Sequence, residues 1–566
     1  TRAVENTGRS FALSRRFAMA ARPPAAQPMA GNQGIGPPAA PRFVKAQATV
    51  PGEGAPRLKT FKPKAKHRLA IWIDIARDTD ASALVAGAPF DDSSLPAGDV
   101  ELAVHVDCDA LALHTSKPLS LSTVDRTVAS TSAVFDFESG DEDQILTIRV
   151  LVTYRGRPMQ ELSIVGTVRA EPIGADQIRF TAIPLSAPPE PHEETTQGEA
   201  ILVVNGANLE RAGSDRKVDL SQVRPIIEKI NKDASTVLAG SEVPESLDDP
   251  QALKLLVKLA RAGSGLKDVL APLALPEEGT LSLLIDMTTE LLPLELVYDA
   301  EKPDKEAAVL CEHKPGGKRV GEPKMCPEAG AGVVCPMAFW GQRRSIVRTI
   351  RFPANHKSGR YESLRPIELR PLLYAAAAKA DKGVKEKPLP TAFLAQQLQQ
   401  LFGKDNVLFA SNWTEWVDLI KRHPQLLLVL GHTESSDGDT VLEIGEKSWL
   451  TDVREAFLHV EGAPPPLVLL LACSTAVPRN PFGGLPAAFT AAGAAAVVGT
   501  LTKMQGPHGA RAAAQVVKAL WEASAAGDKT LGGALTAARR QLVQDGILDG
   551  LLLVSHGEID MALRTT

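Results

Sequence analysis

The side chains able to do chemistry stand at the ends of two apolar runs. In LLLVLGHTE, residues Leu426–Glu434, the run leads into His432, and in LVLLLACST, residues Leu467–Thr475, it leads into Cys473. A free thiol titrates near pH ~8.5, so little of it is thiolate at neutral pH unless a base or a positive field assists. An imidazole beside the thiol supplies that base and then protonates a leaving amine. The arrangement predicts a Cys–His dyad with Cys473 as nucleophile and His432 as general base and acid. The backbone N–H groups of Thr433 and Cys473 are the candidate oxyanion donors. Cys is also among the most buried residue types, so either residue alone reads equally as packing. The pairing, with both residues at strand ends of one sheet, points to catalysis.

Positioning such a pair requires a sheet. A run of five or six aliphatic residues bounded by Pro or Gly suits a strand buried on both faces, as in parallel sheets. Ligands of open α/β sheets bind beyond the carboxyl ends of such strands. From residue 366 to 566 short apolar runs alternate with segments of helical spacing. LRPLLYAAAA, NVLFA, LLLVLGH, LVLLLAC, AAAVVGTL and GLLLVSHGE read as strands. TAFLAQQLQQLF, TEWVDLIKRH, SWLTDVREAFL, GARAAAQVVKALWEA and LGGALTAARRQLVQ read as helices. This alternation predicts an α/β/α sandwich around a parallel sheet with right-handed crossovers. The small residues of 483–499 read as close helix–sheet packing, because the stretch lacks the GxGxxG of a nucleotide site.

From about Leu281 to Leu563 the chain resembles the CHAT family of caspase-like cysteine peptidases. The resemblance rests on LPLELVYD at 292–299, FWGQRRSIVR at 339–348, LGHTE around His432 and LLACST around Cys473. It continues with GGLPAAFTAAGAAAVVGTL at 483–501 and ALTAARRQL at 534–542. It implies a caspase–hemoglobinase fold, peptide-bond hydrolysis, and a pseudo-caspase lobe beside the catalytic sheet. It further implies a protein substrate, a bacterial role in defence or regulated death, and a groove lined by Lys503, Gln505 and His508. One departure is Thr433, since the family usually carries Gly directly after the His; a backbone N–H survives that change. Glu434, Asp437 and Asp439 either orient the imidazole and line a pocket for a basic side chain, or form a solvated acidic turn. By analogy the stretch 478–484, PRNPFGG, is a candidate for self-cleavage.

The remaining chain divides by composition. Residues 1–66 carry twelve Lys and Arg against Glu5 and Glu53 and show no periodicity, which predicts a disordered basic segment. Residues 67–185 hold short alternating strands separated by polar turns, as in an antiparallel, Ig-like β-sandwich that serves as a recruitment or sensor domain, or as a spacer. A Pro- and acid-rich linker follows at 186–199. The lobe at 200–365 contains a Gly-, Pro- and Lys-rich loop, 304–336. That loop holds Cys311, His313, Cys326 and Cys335, a set able to bind zinc but without the paired Cys-x-x-Cys spacing.

The totals bound the rest. With 566 residues, 44% apolar and 23% charged residues and a formal charge of −5, nothing favours nucleic acid as a partner. No apolar run approaches the ~20 residues needed to span a bilayer. Five cysteines, an odd and sparse set, argue for a reducing compartment, here the cytoplasm. No cofactor is expected. An activating partner acting through the β-sandwich is expected, and the sequence leaves the oligomeric state open. The alternatives are a non-catalytic caspase-like scaffold and an acyl hydrolase with a non-peptide substrate.

Overall fold

Between Arg42 and Ile183 a two-residue period dominates, and the described residues form nine strands. These are β1 (Arg42–Thr49), β2 (Lys66–Ile75), β3 (Leu84–Val85), β4 (Asp99–Cys108), β5 (Leu113–Ser122), β6 (Ala133–Glu138), β7 (Ile145–Tyr154), β8 (Arg157–Thr167) and β9 (Arg179–Ile183). They build two antiparallel sheets, β3-β1-β2-β6 and β5-β4-β7-β8-β9, around one core that includes Val44, Leu69, Val104, Phe135, Ile148 and Leu162. Strand β1 lies inside the stretch expected to be disordered, which corrects that reading for Arg42–Thr49, whereas residues 1–39 lie outside the described residues. Its Lys45 and Arg42 look like solvated charges in sequence. Both are buried, paired with Asp74 at 3.3 Å and Asp92 at 3.2 Å, partners 29 and 50 residues away. Local composition does not reveal a strand whose charges are neutralised at such range.

The computed structural model describes residues 40–52, 57–75, 84–85, 88–93, 95–171, 178–183, 185, 198–238, 243–277, 279–286, 292–312, 325–351, 366–382, 384–385, 387–436, 439–449, 458, 465–471, 485–502, 504, 506–526, 530–557, 559 and 561–564.

The next segment comprises β10 (Gly198–Asn205), β11 (Asn208–Arg211), β12 (Lys217–Asp219), α1 (Arg224–Leu238), α2 (Pro250–Leu270), β13 (Thr280–Asp286), β14 (Val309–Leu310), β15 (Val333–Val334) and β16 (Ile346–Arg351). Asp249 caps α2 by accepting from the Gln251 N–H at 2.7 Å. Asp219 caps the short 3-10 turn before α1, accepting from the Ser221 N–H. The C-terminal segment runs β17 (Ile367–Glu368), β18 (Leu372–Ala376), α3 (Pro390–Phe402), β19 (Val407–Ala410), α4 (Trp413–Ile420), β20 (Leu426–Leu430), β21 (His432–Ser436), β22 (Asp439–Ile444) and β23 (Glu446–Trp449). It continues with β24 (Leu467–Leu470), α5 (Leu485–Ala491), β25 (Ala496–Thr500), α6 (Gly506–Ala526), α7 (Leu531–Gln544), β26 (Leu553–Gly557) and β27 (Leu563–Arg564).

Both segments share one mixed sheet, in the order β12-β11-β10-β13-β16-β26-β25-β24-β20-β18-β19. The strands β19, β18, β20, β24 and β25 are mutually parallel, as are β10, β13 and β16. Strand β26 runs antiparallel to both of its neighbours and joins the two parallel sets. Alternate residues of β20 explain why its run is continuously apolar. Leu426, Leu428 and Leu430 pack with α3, α6 and α7, whereas Leu427 and Val429 face Trp416 of α4 and Phe489 of α5. Gly557 closes β26 with a φ of +83°, and a Cβ there would stand 2.5 Å from the Ala495 carbonyl oxygen. Only glycine suits that position.

The join is held by a buried ion pair. Arg348 on β16 donates to both carboxylate oxygens of Glu295 at 2.7 Å, and both side chains are fully buried. The same guanidinium donates to the carbonyls of Leu292 and of Ser555 on β26. Arg539 of α7 stands 3.8 Å from Glu295 and donates to the Leu553 carbonyl. Thus LPLELVYD, FWGQRRSIVR, ALTAARRQL and the last long strand meet at one carboxylate. The sandwich packs onto this body through Leu151 of β7 against Ile201, Val203 and Leu284. Arg149 pairs there with Asp107 and Glu210, and Arg351 with Glu161. Glu295→Ala leaves two buried guanidinium groups without their counter-charge. It is expected to cost about 3–5 kcal/mol of unfolding free energy, read as a lowered urea midpoint.

Candidate functional site

Strand β20 ends at Leu430, Gly431 follows, and His432 opens β21 at the carboxyl edge of the parallel sheet. The neighbouring strand β24 pairs with β20 at Leu426↔Leu467, Leu427↔Val468, Leu428↔Leu469 and Val429↔Leu470. Leu471 continues the ladder by donating its N–H to the Val429 carbonyl at 3.0 Å. Cys473, the thiol of the expected dyad, lies in 472–484, outside the described residues. The 478–484 stretch lies there too, as do Asp437, Lys503, Gln505 and His313.

Beyond the sheet edge the chain forms a feature the sequence reading missed. Strands β21, β22 and β23 make a three-stranded antiparallel ribbon in the connection between β20 and β24. Ser448 and Trp449, expected to begin a helix, sit in β23. Of the acidic residues after His432, Glu434 lies in β21 opposite Val441, and Asp439 in β22 opposite Ser436. Thr433 is in β21 opposite Leu442.

The residue directly across from His432 is Glu443. Opposed residues of an antiparallel pair put their Cβ atoms about 4.5–5.5 Å apart on one face, within reach of a side-chain contact. His432 is half-buried, and the Glu443 side chain is 13% exposed. Lys379, in the turn after β18, approaches Glu443 with its Nζ 2.8 Å from Oε2. Ammonium, carboxylate and imidazole therefore follow one another along this rim. The signal was present in sequence: Asp437–Gly438 is a dipeptide that favours two-residue hairpins, and VLEI after it alternates. Counting back from that turn pairs position 432 with 443.

His508 sits in the first turns of α6 and is turned inward at 5% exposure. Arg511 stands 3.2 Å from its Nε2, and Asp549 4.0 Å from its Nδ1. Burial, reinforced by Arg511 and opposed by Glu245, lowers the His508 pKa to about 4. Burial also raises Asp549 to about 7. The start of α6 is pressed onto the turn after β18: a Cβ on Gly506 would fall 1.7 Å from the Ala380 carbonyl oxygen. The start of α6 is thereby held close to the end of β18, and Gly509 lies against Leu430 at the end of β20.

Three of the four proposed zinc ligands come together elsewhere. Cys311, Cys326 and Cys335 are buried, with their Sγ atoms within 4.8 Å of one another. Hydrogen bonding with the Cys311 thiol draws Cys335 below the ordinary thiol range, to about 6.

Residues 375–550 match the model of the CHAT domain, a stretch that includes the strands β20 and β24 and the ribbon between them. No curated protein matches the sequence. Among solved structures, the Arg-specific cysteine proteinase gingipain R is similar over 67% of this chain and 80% of its own, at 13% identity and a TM-score of 0.35. The complex of Porphyromonas gingivalis RgpB pro- and mature domains is similar over 62% and 79%, at 14% identity and a TM-score of 0.32. The Saccharomyces cerevisiae separase–securin complex is similar over 61% of this chain and 23% of that one, at 11% identity and a TM-score of 0.26. Among the described residues, no helix is long and apolar enough to cross a membrane.

The interior pair His508 and Asp549 yields a pH prediction. The unfolded chain takes up a proton on this imidazole near pH 6.5 and the native chain only near 4, so the His508 contribution to stability is lost as pH falls between those values. Asp549 acts oppositely, because the native chain keeps its proton up to about pH 7. In His508→Gln only the second effect remains. Unfolding free energy measured from pH 6.5 to 4 is expected to move in favour of the variant, relative to the native chain, as the pH is lowered.

Proposed function

We propose that this protein is a cysteine endopeptidase that cleaves a peptide bond in a partner protein, with Cys473 as nucleophile and His432 as general base and acid. The observation that carries the reading is that β20 and β24 are adjacent and parallel, so both end at the same edge of the sheet, β20 just before His432. The CHAT match over 375–550 supports the same assignment.

The steps follow from the residue types. His432 draws the proton from the Cys473 thiol, and the thiolate attacks the scissile carbonyl. The backbone N–H groups of Thr433 and Cys473 receive the charge that develops on the carbonyl oxygen. His432 then passes its proton to the leaving amine, and water hydrolyses the thioester with the imidazole again as base. Glu443 is the positioning residue in this scheme, since a carboxylate across the ribbon holds the imidazole and steadies its cationic form. Lys379 fixes that carboxylate in turn. Glu434, Asp439 and His508, together with Asp437, Lys503 and Gln505, which lie outside the described residues, are the residues proposed to border the substrate.

The reading extends to regulation. The sandwich is joined to the central body by the half-buried Arg149 and Arg351 ion pairs, and this supports a role in receiving an activating partner. We infer a bacterial role in defence or regulated death from the resemblance of its motifs, and a reducing compartment, the cytoplasm, from its five sparse cysteines.

Cys473→Ala and His432→Ala are each expected to abolish cleavage of a peptide library while unfolding midpoints stay unchanged, and cleavage retained by either variant overturns the dyad. Rapid labelling of Cys473 by an iodoacetamide-type probe separates a peptidase from a non-catalytic scaffold, whose thiol reacts slowly. The Lys379–Glu443 pair is partly exposed and worth at most about 1 kcal/mol. Glu443→Gln is therefore expected to leave stability nearly intact and to lower kcat/KM roughly ten- to a hundredfold, with a shifted pH–rate profile as the mark of positioning.

A further inference from the structure

Three of the chain's five cysteines lie outside the catalytic assignment and converge in one place. Cys311 directly follows β14 and Cys335 directly follows β15, and these two-residue strands pair in parallel. The Cys311 N–H donates to the Val334 carbonyl at 3.0 Å, which sets the two residues side by side. The Cys335 N–H donates to the Tyr298 hydroxyl, also at 3.0 Å. Cys326 enters from the turn that closes with Ala329 N–H on its own carbonyl. The three are 2%, 4% and 0% exposed, and Cys326 Sγ stands 3.3 Å from Cys335 Sγ.

The size of this triangle is informative. Zinc–thiolate bonds of about 2.3 Å at tetrahedral angles separate ligand sulfurs by about 3.8 Å. Three sulfurs within 4.8 Å of one another therefore span what a single ion would occupy. A disulfide would join two of them and leave the third thiol beside it with no role. Packing alone accounts for one buried thiol at a time. Here three are gathered, from the ends of two short paired strands and one turn, in a loop that is otherwise rich in Gly, Pro and Lys.

We propose that Cys311, Cys326 and Cys335 are three ligands of a structural zinc ion. Each thiol gives up its proton on binding, and the ion's charge compensates thiolates that the apolar surroundings would otherwise disfavour. The ion ties the 304–336 excursion to Tyr298, whose ring meets Phe339 edge-on at 5.0 Å. Tyr298 belongs to LPLELVYD and Phe339 to FWGQRRSIVR, the segments that deliver Glu295 and Arg348. The metal thus stabilises the segments that carry the central ion pair. Zinc's fourth position is taken by a donor other than these thiols. His313, two residues after Cys311 in sequence, lies outside the described residues and is no part of the assignment.

The test is metal analysis of the full chain purified without chelator. About one zinc per chain is expected by elemental mass spectrometry, retained in Cys473→Ala and reduced at least tenfold in the Cys326→Ser, Cys335→Ser double variant. Because that variant can fail to fold, the native chain is also stripped and reloaded with cobalt(II) alone. A thiolate-to-cobalt charge-transfer band with the intense visible bands of a tetrahedral site is expected. Zinc below a tenth of an equivalent in the native chain, loss of zinc in Cys473→Ala, or cobalt bound without the thiolate band each overturns the proposal.

Discussion

A single carboxylate, Glu295, sits where four separate stretches of the chain meet. Charges so deeply buried are tolerated when they are paired and hydrogen-bonded. The Arg348 fork supplies the pairing, and its two terminal nitrogens also donate to the carbonyls of Leu292 and Ser555. Arg539 ties the same point to α7. The consequence is geometric. Strand β16, which belongs to the N-terminal set, is held against β26, and β26 in turn carries β25, β24 and β20 in register. The single paired position between β16 and β26, Arg348↔Gly557, would be a weak joint by itself. The ion network makes it a fixed one.

With the joint fixed, the sheet can offer a rim. Parallel strands buried on both faces have no polar side chains of their own to spare, so chemistry is confined to the residues where the chain leaves the sheet. Here that exit is not a simple loop. After Leu430 the backbone turns into an antiparallel ribbon whose first residue is His432, and the ribbon brings a carboxylate across from the imidazole. The approach of α6 to the turn after β18, with no room for a Cβ at Gly506, confines the same rim from the other side. Polar groups are supplied by the edge elements and rigidity by the apolar strands.

Much of this was legible in the chain. The continuous apolar runs announce strands buried on both faces because no other element of five residues tolerates such a composition. The alternation of β2, β4 and β7 announces a half-buried antiparallel sheet for the equivalent reason. Other features were hidden by locality. Arg42 and Lys45 belong to a strand, yet they resemble a basic tail until Asp92 and Asp74 are brought to them. The acidic turn after His432 resembles a solvated loop, although Asp437–Gly438 and the alternation after it encode a hairpin. The Cys spacing 311, 326, 335 matches no familiar metal motif, since two parallel strands, not one knuckle, assemble the cluster.

The sequence by itself determined which segments are apolar, which period each follows and which reactive residue ends each buried run. These properties are local, because they depend on the side chains of neighbours within one element. Only the tertiary structure decided that β26 runs antiparallel and joins two parallel sets, that Glu443 faces His432, and that three thiols distant in sequence come within 4.8 Å of one another. Those outcomes depend on charges and registers matched across tens to hundreds of residues, where the energy of a pair exists only after the chain has brought its partners together.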